Sequence, residues 1–393
     1  MRTNLAERLQ TALNTRHASN RFRCRTIYRS IDSTHVEVNG RSLINFAGND
    51  YLGLAHHPEL RAHAAENGLP NGSGASGLVT GYSPAHASAE AAIARWKSTE
   101  SAVLLPSGYQ ANHAAVQTFA ALAGQRSESV RFLIDKLAHA SLIDAVRGSG
   151  CPFRVFPHNQ LTKLARLLES VDREQLQVVV TESIFSMDGD AADLAGLAAI
   201  RENHDFALLL DEAHGSGVYG DSGAGLAAAM NLSNLVDVHI CTFSKAAGLV
   251  GGAVCASKAF CDGVVNFGRA YIFSTAIPPL LATQIERSIE LMRREPWRQK
   301  RLMELAHRVR NHLAGAGWPL LPGDSPIIPL VVENENRALA LAERLKSEGI
   351  LTVAIRPPTV APNSSRIRVT ISSDHTDAQI DGLLSALGDY TAV

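Results

Sequence analysis

Two apolar runs in this chain end in reactive side chains. FALLLDEAHGSG carries Asp211 and His214 just past a run of leucines, and VDVHICTFSKAAG carries Thr242, Ser244 and Lys245 just past another. Short runs of this kind read as strands buried on both faces, and in open α/β sheets the ends of such strands border the ligand crevice. An acid, an imidazole, two hydroxyls and an amine would then face one space. That set suits pyridoxal phosphate, which needs an amine for a Schiff base, an anion against the pyridinium nitrogen and small donors for its phosphate. Taken singly, Lys245 reads as a solvated surface charge and Asp211 as a helix cap; together, with glycines following, they read as chemistry. Ser107, Gly108 and Tyr109 follow a third run, SAVLLP. A turn opening a helix there would offer free amides and a positive dipole end to the phosphate.

A second glycine-rich stretch carries less. Gly72, Gly74 and Gly77 in NGSGASG match the dinucleotide fingerprint G-x-G-x-x-G, but no apolar run precedes them. The stretch is therefore expected to be a turn where backbone comes close to another segment, not a nucleotide site.

The elements that must position these groups follow from the same pattern. SAVLLP, VRFLID, QVVVTES, FALLLDEAH, VDVHICTFSK and GGAVCAS read as strands, and the amphipathic stretches between several of them read as crossover helices. The expected fold is α/β: a large domain with a mostly parallel sheet, then a smaller α+β domain from about Pro278, where a long charged helix through LMRREPWRQKRLMELAHRVRNHL begins. The expected divisions are 1–45, an N-terminal helix with short strands that could pack on either domain, 46–280 and 281–393.

Composition excludes several other classes. Lys and Arg number 37 against 38 Asp and Glu, so no global basic field gathers nucleic acid or an anionic membrane. Hydrophobic residues at 46% and charged residues at 19% fit a folded globular protein with a substantial core. The five cysteines lack zinc spacing and read as reduced thiols. The mixed-charge N-terminus does not resemble a signal peptide and no apolar stretch reaches membrane-spanning length, so a cytoplasmic location is expected.

At these residues the sequence resembles the α-oxoamine synthases, which are fold-type I pyridoxal-phosphate transferases with the aspartate aminotransferase-like fold and a seven-stranded sheet. NDYLGLAHHPEL, GYSPAHASAE, SGYQAN, DKLAHASL, ESIFSMDGD, DEAHGSGVYG, TFSKAAG, IFSTAIPP and AIRPPTV carry the resemblance, which runs nearly end to end. GYSPAH and AIRPPTV lean to the branch that condenses L-alanine with a pimeloyl thioester, on coenzyme A or an acyl carrier protein, in biotin biosynthesis. The alternatives inside the family are glycine C-acetyltransferase, 5-aminolevulinate synthase and a long-chain acyl condensing enzyme. An aminotransferase is a more distant rival, and a DNA-binding regulator lacks a DNA-reading segment in this chain.

The resemblance implies a role for each residue. Lys245 would anchor the cofactor and act as base, Asp211 would pair with the ring nitrogen, and His139 would stack on the ring. His214 and Ser186 would meet the ring hydroxyl. Ser107, Gly108, Tyr109, Thr242 and Ser244 would hold phosphate, joined by Ser274 and Thr275 of a second copy in a homodimer. Arg368 would bind the amino-acid carboxylate, and Arg23, Asn49 and Thr359 would lie near the acyl substrate. No metal, nucleic acid or membrane partner is implied. Two positions depart from the family pattern: Ser244 stands where glycine often precedes the lysine, and Ala361 where proline is common.

Overall fold

The computed structural model describes residues 4–390 except 20, 67 and 171–173, with nothing said of the side chains of 65 and 127. Seven strands form the main sheet: β1 (Ser101–Leu105), β2 (Val130–Asp135), β3 (Phe153–Phe156), β4 (Leu176–Glu182), β5 (Ala207–Asp211), β6 (Val238–Thr242) and β7 (Gly252–Ala256). Their order is β1-β7-β6-β5-β4-β2-β3. β7 runs antiparallel to both its neighbours, and every other pairing is parallel. The fold-type I α/β expectation holds.

Alternation along the strands splits the core in two. Leu208 and Leu210 of β5 join one apolar cluster and Leu209 joins the other, because successive side chains point to opposite faces. One face is covered by helices Gly108–Ala121, Ala140–Gly148 and Lys258–Phe267, whose Ala114, Leu142 and Val264 are fully buried. The cluster on the other face continues without a break into Ile327, Leu330 and Ile367 of the C-terminal sheet. Sequence reading passed over β3, and its composition shows why. FRVF lies at the sheet edge with its two central residues exposed, so it lacks the apolar run that marks a buried strand.

The C-terminal sheet comprises β8 (Ile327–Glu333), β9 (Val353–Ile355) and β10 (Ser365–Thr370), in the order β8-β10-β9 and antiparallel throughout. A third sheet answers where the N-terminal segment packs. His35–Val38 and Arg41–Asn45 form a hairpin, and Arg41–Asn45 pairs in parallel with Ile350–Leu351. The long charged helix expected after Pro278 is two helices, Pro279–Arg294 and Trp297–Gly315. Pro296 divides them: it has no amide hydrogen to donate and pushes the residue before it out of helical geometry. Glu295 accordingly has φ −117° and ψ 57°.

Beneath the sheet ends lies a buried charge cluster. Lys97, at the end of helix Pro84–Lys97, donates to Glu212 (2.8 Å) and Ser216 (2.9 Å), and Glu212 also meets His239 at 3.1 Å. Burial opposes the Glu212 carboxylate, yet Lys97 and His239 together hold its pKa at about 2. Removing one partner of such a pair leaves the other charge buried and unpaired. Lys97→Met is therefore expected to cost about 3 kcal/mol of stability. A urea unfolding midpoint unchanged from the parent protein would show that Glu212 does not depend on Lys97.

Candidate active site

The carboxyl ends of the strands converge. Asp211 ends β5 beside Glu182 at the end of β4, its register partner; Thr242 ends β6 opposite Gly252 of β7, which pairs on its other side with Leu105 of β1. Chain reversal after each strand then delivers His214, Lys245 and the Ser107 turn to one edge of the sheet. Gly252 permits a close approach, since a Cβ there would lie 2.5 Å from the Gly108 amide nitrogen. Ser107 caps helix Gly108–Ala121 by accepting from the Gln110 amide at 3.2 Å. Gly108 and Tyr109 begin that helix, so their amides have no carbonyl within it to bond. Thr242 Oγ1 lies 2.9 Å from Ser244 Oγ, and a Cβ on Gly108 would meet the Thr242 side chain at 3.3 Å.

Charges interact strongly here. Burial lowers the Lys245 amine pKa from its ordinary value, against the pull of Asp211 and Glu182 and with the help of Arg368. Burial, then Lys245, Arg368 and His139, hold His214 well below the usual imidazole value, so it is neutral at neutral pH. His139, the N-terminal cap of helix Ala140–Gly148, is also lowered, first by burial, with Asp211 opposing and Lys245 assisting. Glu182 is pushed well above the carboxylate range by burial and then by Asp211. Its Oε1 finds no hydrogen-bond partner among the described residues. Asp211 itself is 5% exposed and takes hydrogen bonds from Asn112 Nδ2 (2.7 Å) and the Ala213 amide (2.8 Å).

Arg368 reaches this edge from β10. Its Nε donates to the Ser186 carbonyl at 2.7 Å and its Nη2 to Asn49 Oδ1 at 3.1 Å. The Tyr51 hydroxyl bridges Asn49 Oδ1 (3.3 Å) and His214 Nδ1 (2.7 Å). The N-terminal segment, the Ser186 turn and the C-terminal sheet are thus joined at one guanidinium. Arg23 and Thr359 also meet, with Nη2 3.5 Å from Oγ1, but among the described residues no hydrogen bond links that exposed pair to Lys245 or Asp211. Tyr109 is exposed, stacked on His113 with its hydroxyl 3.2 Å from Asp144. Ser274 accepts from Gln110 Nε2 at 2.7 Å within the same chain, which sets it beside the helix start. Thr275 bridges to Ser76 of the glycine-rich stretch. The close approach expected of that stretch is found at Gly77, where a Cβ would strike the Tyr271 hydroxyl, while Gly72 and Gly74 have open space; Ser73 Oγ donates to the Ile277 carbonyl.

Sequence reading did not single out Tyr51, Asn112, Ser141 or Glu182. Their types are ordinary for caps, helix interiors and strand ends, and only the tertiary contacts give them meaning.

The donor set fits pyridoxal phosphate. A desolvated amine, a buried carboxylate held by two donors, and a helix start with free amides beside two hydroxyls match the aldehyde, ring nitrogen and phosphate of that group. Comparison with known proteins agrees. Residues 41–387 match the family described as aminotransferase class I and II. An 8-amino-7-oxononanoate synthase from Gluconacetobacter diazotrophicus is 42% identical over 358 residues, covering 90% of this chain and 89% of that one. Another from Stutzerimonas stutzeri is 41% identical, covering 98% and 97%. A solved serine palmitoyltransferase holding PLP superposes with a TM-score of 0.88 at 26% identity, covering 98% of this chain and 97% of that one. With sequence, sheet order and donor set in agreement, the chain belongs to the class I and II aminotransferases, among the pyridoxal-phosphate-dependent 8-amino-7-oxononanoate synthases of the α-oxoamine synthase family.

Proposed function

We propose that the chain condenses L-alanine with a pimeloyl thioester, releasing carbon dioxide and the thiol and forming 8-amino-7-oxononanoate. The observation that carries this reading is the meeting of Lys245, Asp211 and Arg368 at one sheet edge, in a chain 41% identical over nearly its full length to synthases of that name. When bound, pyridoxal phosphate supplies an aldehyde carbon that engages an amine and a protonated ring that accepts electrons from the amino acid's α-carbon.

Lys245 holds that group through Nζ. Lys245 Nζ, whose pKa burial lowers and which is thereby shifted towards its neutral form, would be the base that takes the α-proton of alanine. Asp211 would pair with the ring nitrogen and keep it protonated. His139 would cover the ring face, and His214 with Ser186 would meet the ring hydroxyl. Ser107, Gly108, Tyr109, Thr242 and Ser244 take the phosphate. Arg368, already oriented by Ser186 and Asn49, turns its remaining guanidinium edge to the alanine carboxylate, which a planar fork suits. Arg23, Asn49 and Thr359 border the acyl chain.

The working unit is a homodimer in the cytoplasm, with Ser274 and Thr275 of the second copy closing each phosphate site. Apolar exposure supports this: Leu78 is 52%, Val79 73% and Phe273 71% exposed, all near the Ser76–Thr275 bridge. A cluster of that kind marks a surface that another chain covers. The division into 46–280 and 281–393, flanked by 1–45, belongs to the same proposal. Among the described residues no helix is long and apolar enough to cross a membrane.

The test incubates protein and pyridoxal phosphate with pimeloyl-CoA and L-alanine, glycine or L-serine, and weighs the product. Product with the mass of 8-amino-7-oxononanoate is expected with alanine, from protein sedimenting at twice 42.1 kDa. Cofactor binding without alanine-dependent product would sink the substrate assignment while leaving the fold. Product from glycine or serine alone would move the chain to another branch.

A further inference from the structure

Asn112 is 1% exposed in the second turn of helix Gly108–Ala121, and its Nδ2 lies 2.7 Å from Asp211 Oδ2 and 2.9 Å from Ser141 Oγ. A carboxylate only accepts, so the amide end facing Asp211 is the nitrogen. The reverse orientation would set two oxygens against each other. The present one even leaves Asn112 Oδ1 buried with no partner among the described residues. That loss is tolerated only where the two donated bonds outweigh it.

Hydrogen-bond directions then propagate. Both Asn112 protons are committed, one to Asp211 and one to Ser141. The Ser141 hydroxyl accepts from Asn112 and has one proton of its own, and His139 Nδ1 lies 2.7 Å from it. The Ser141 amide points at the same ring nitrogen from 3.2 Å. Two donors aimed at Nδ1 require that it carry no proton, which leaves the proton of the neutral ring on Nε2.

We infer that Asn112 and Ser141 are positioning residues that transmit the charge of Asp211 to His139 and fix it as the Nε2–H tautomer. His139 therefore presents a hydrogen-bond donor to whatever lies beside it, and its Nδ1 is closed as a proton acceptor. The tautomer follows from geometry alone. Its use, donating to bound substrate while proton removal falls to Lys245, rests on the proposed reaction. The other charged or titratable groups around the ring are Asp211 from β5, His214 from the turn after it, Lys245 from the turn after β6, Glu182 from β4, which accepts the His139 backbone amide, and Asp144 with Tyr109. Loss of the donors at Nδ1 would free that atom to take a proton.

The test uses the full-length protein without added cofactor, grown with 15N-histidine, so that it does not depend on turnover. The His139 signals are assigned by their loss in His139→Gln. Nitrogen shifts are expected to show a protonated Nε2 and a bare Nδ1 across neutral pH. In Ser141→Ala the two tautomers should mix and the ring should titrate about one unit higher. Asn112→Leu should move in the same direction, and Ser141→Thr, which keeps the hydroxyl, should restore the parent spectrum. A parent spectrum with the proton on Nδ1 overturns the inference, and this needs no variant to fold. A folded Ser141→Ala with unchanged shifts and titration overturns the role of the Ser141 hydroxyl, since the backbone amide at 3.2 Å stays in place.

Discussion

Lys245→Ala is expected to lower turnover by about 10⁴-fold, because one side chain performs two tasks that no neighbour can take over. The amine is the group that can bond the cofactor aldehyde, and it sits where burial already favours its neutral form. His139 cannot replace it as base if its Nδ1 is closed by Ser141, and His214 has its Nδ1 engaged by Tyr51. The phosphate-binding groups on β6 and the Ser107 turn remain, so the variant should still bind pyridoxal phosphate, but reversibly. The measurement pairs product mass over time with gel filtration in denaturant. Turnover within about tenfold of the parent, or cofactor still bonded to the unfolded chain, would remove Lys245 from both roles.

The second large effect is expected at Asp211→Asn, where turnover should fall by about 10³-fold with little change in shape. The amide that replaces the carboxylate has nearly the same size, but Asn112 and the Ala213 amide bond different oxygens of Asp211, so only one of the two keeps an oxygen to donate to. What disappears is the anion that, in the proposed reaction, would keep the ring nitrogen protonated. Glu182 will not simply substitute. Burial first, and only then repulsion from Asp211, pushes its carboxyl well above the usual carboxylate range, so removing Asp211 relieves the lesser cause. The check is kcat together with the thermal midpoint and near-ultraviolet circular dichroism. A fall in kcat of less than about tenfold in a variant of unchanged midpoint would show that the carboxylate does not act on the ring.

Much of this site was legible in one dimension because β strands buried on both faces announce themselves. The runs ending at Asp211 and Thr242 gave two strand ends, and the open-sheet rule put both at the crevice. Lys245 follows the second of them by three residues. What stayed hidden depends on register and on crossings between distant segments. Asn112 acquires its role only because helix Gly108–Ala121 lies against the end of β5, and Ser141 only because His139 caps the next helix. Tyr51 meets His214 across 163 positions of chain and Arg368 meets Asn49 across 319, which no local spacing encodes. The edge strand β3 and the break at Pro296 were missed for local reasons: exposure removed the apolar signal from one, and a charged helical pattern continued through the other.

The N-terminal hairpin has a consequence for biosynthesis. Arg41–Asn45 finds its parallel neighbour at Ile350–Leu351, and β1 finds its partner only at β7. At translation speeds of about 5–20 residues per second, the first of these edges waits on the order of 15–60 s for its mate to leave the ribosome. For that interval VEVNGRSLINF is an unpaired β-edge on a nascent chain. Arg41 and Asn45, with the Asn39–Gly40 turn between its strands, give that edge the polar interruptions that discourage pairing with a neighbouring polysome's product. The segment that anchors Asn49 and Tyr51 near the crevice is thus made some three hundred residues before the strand that secures it.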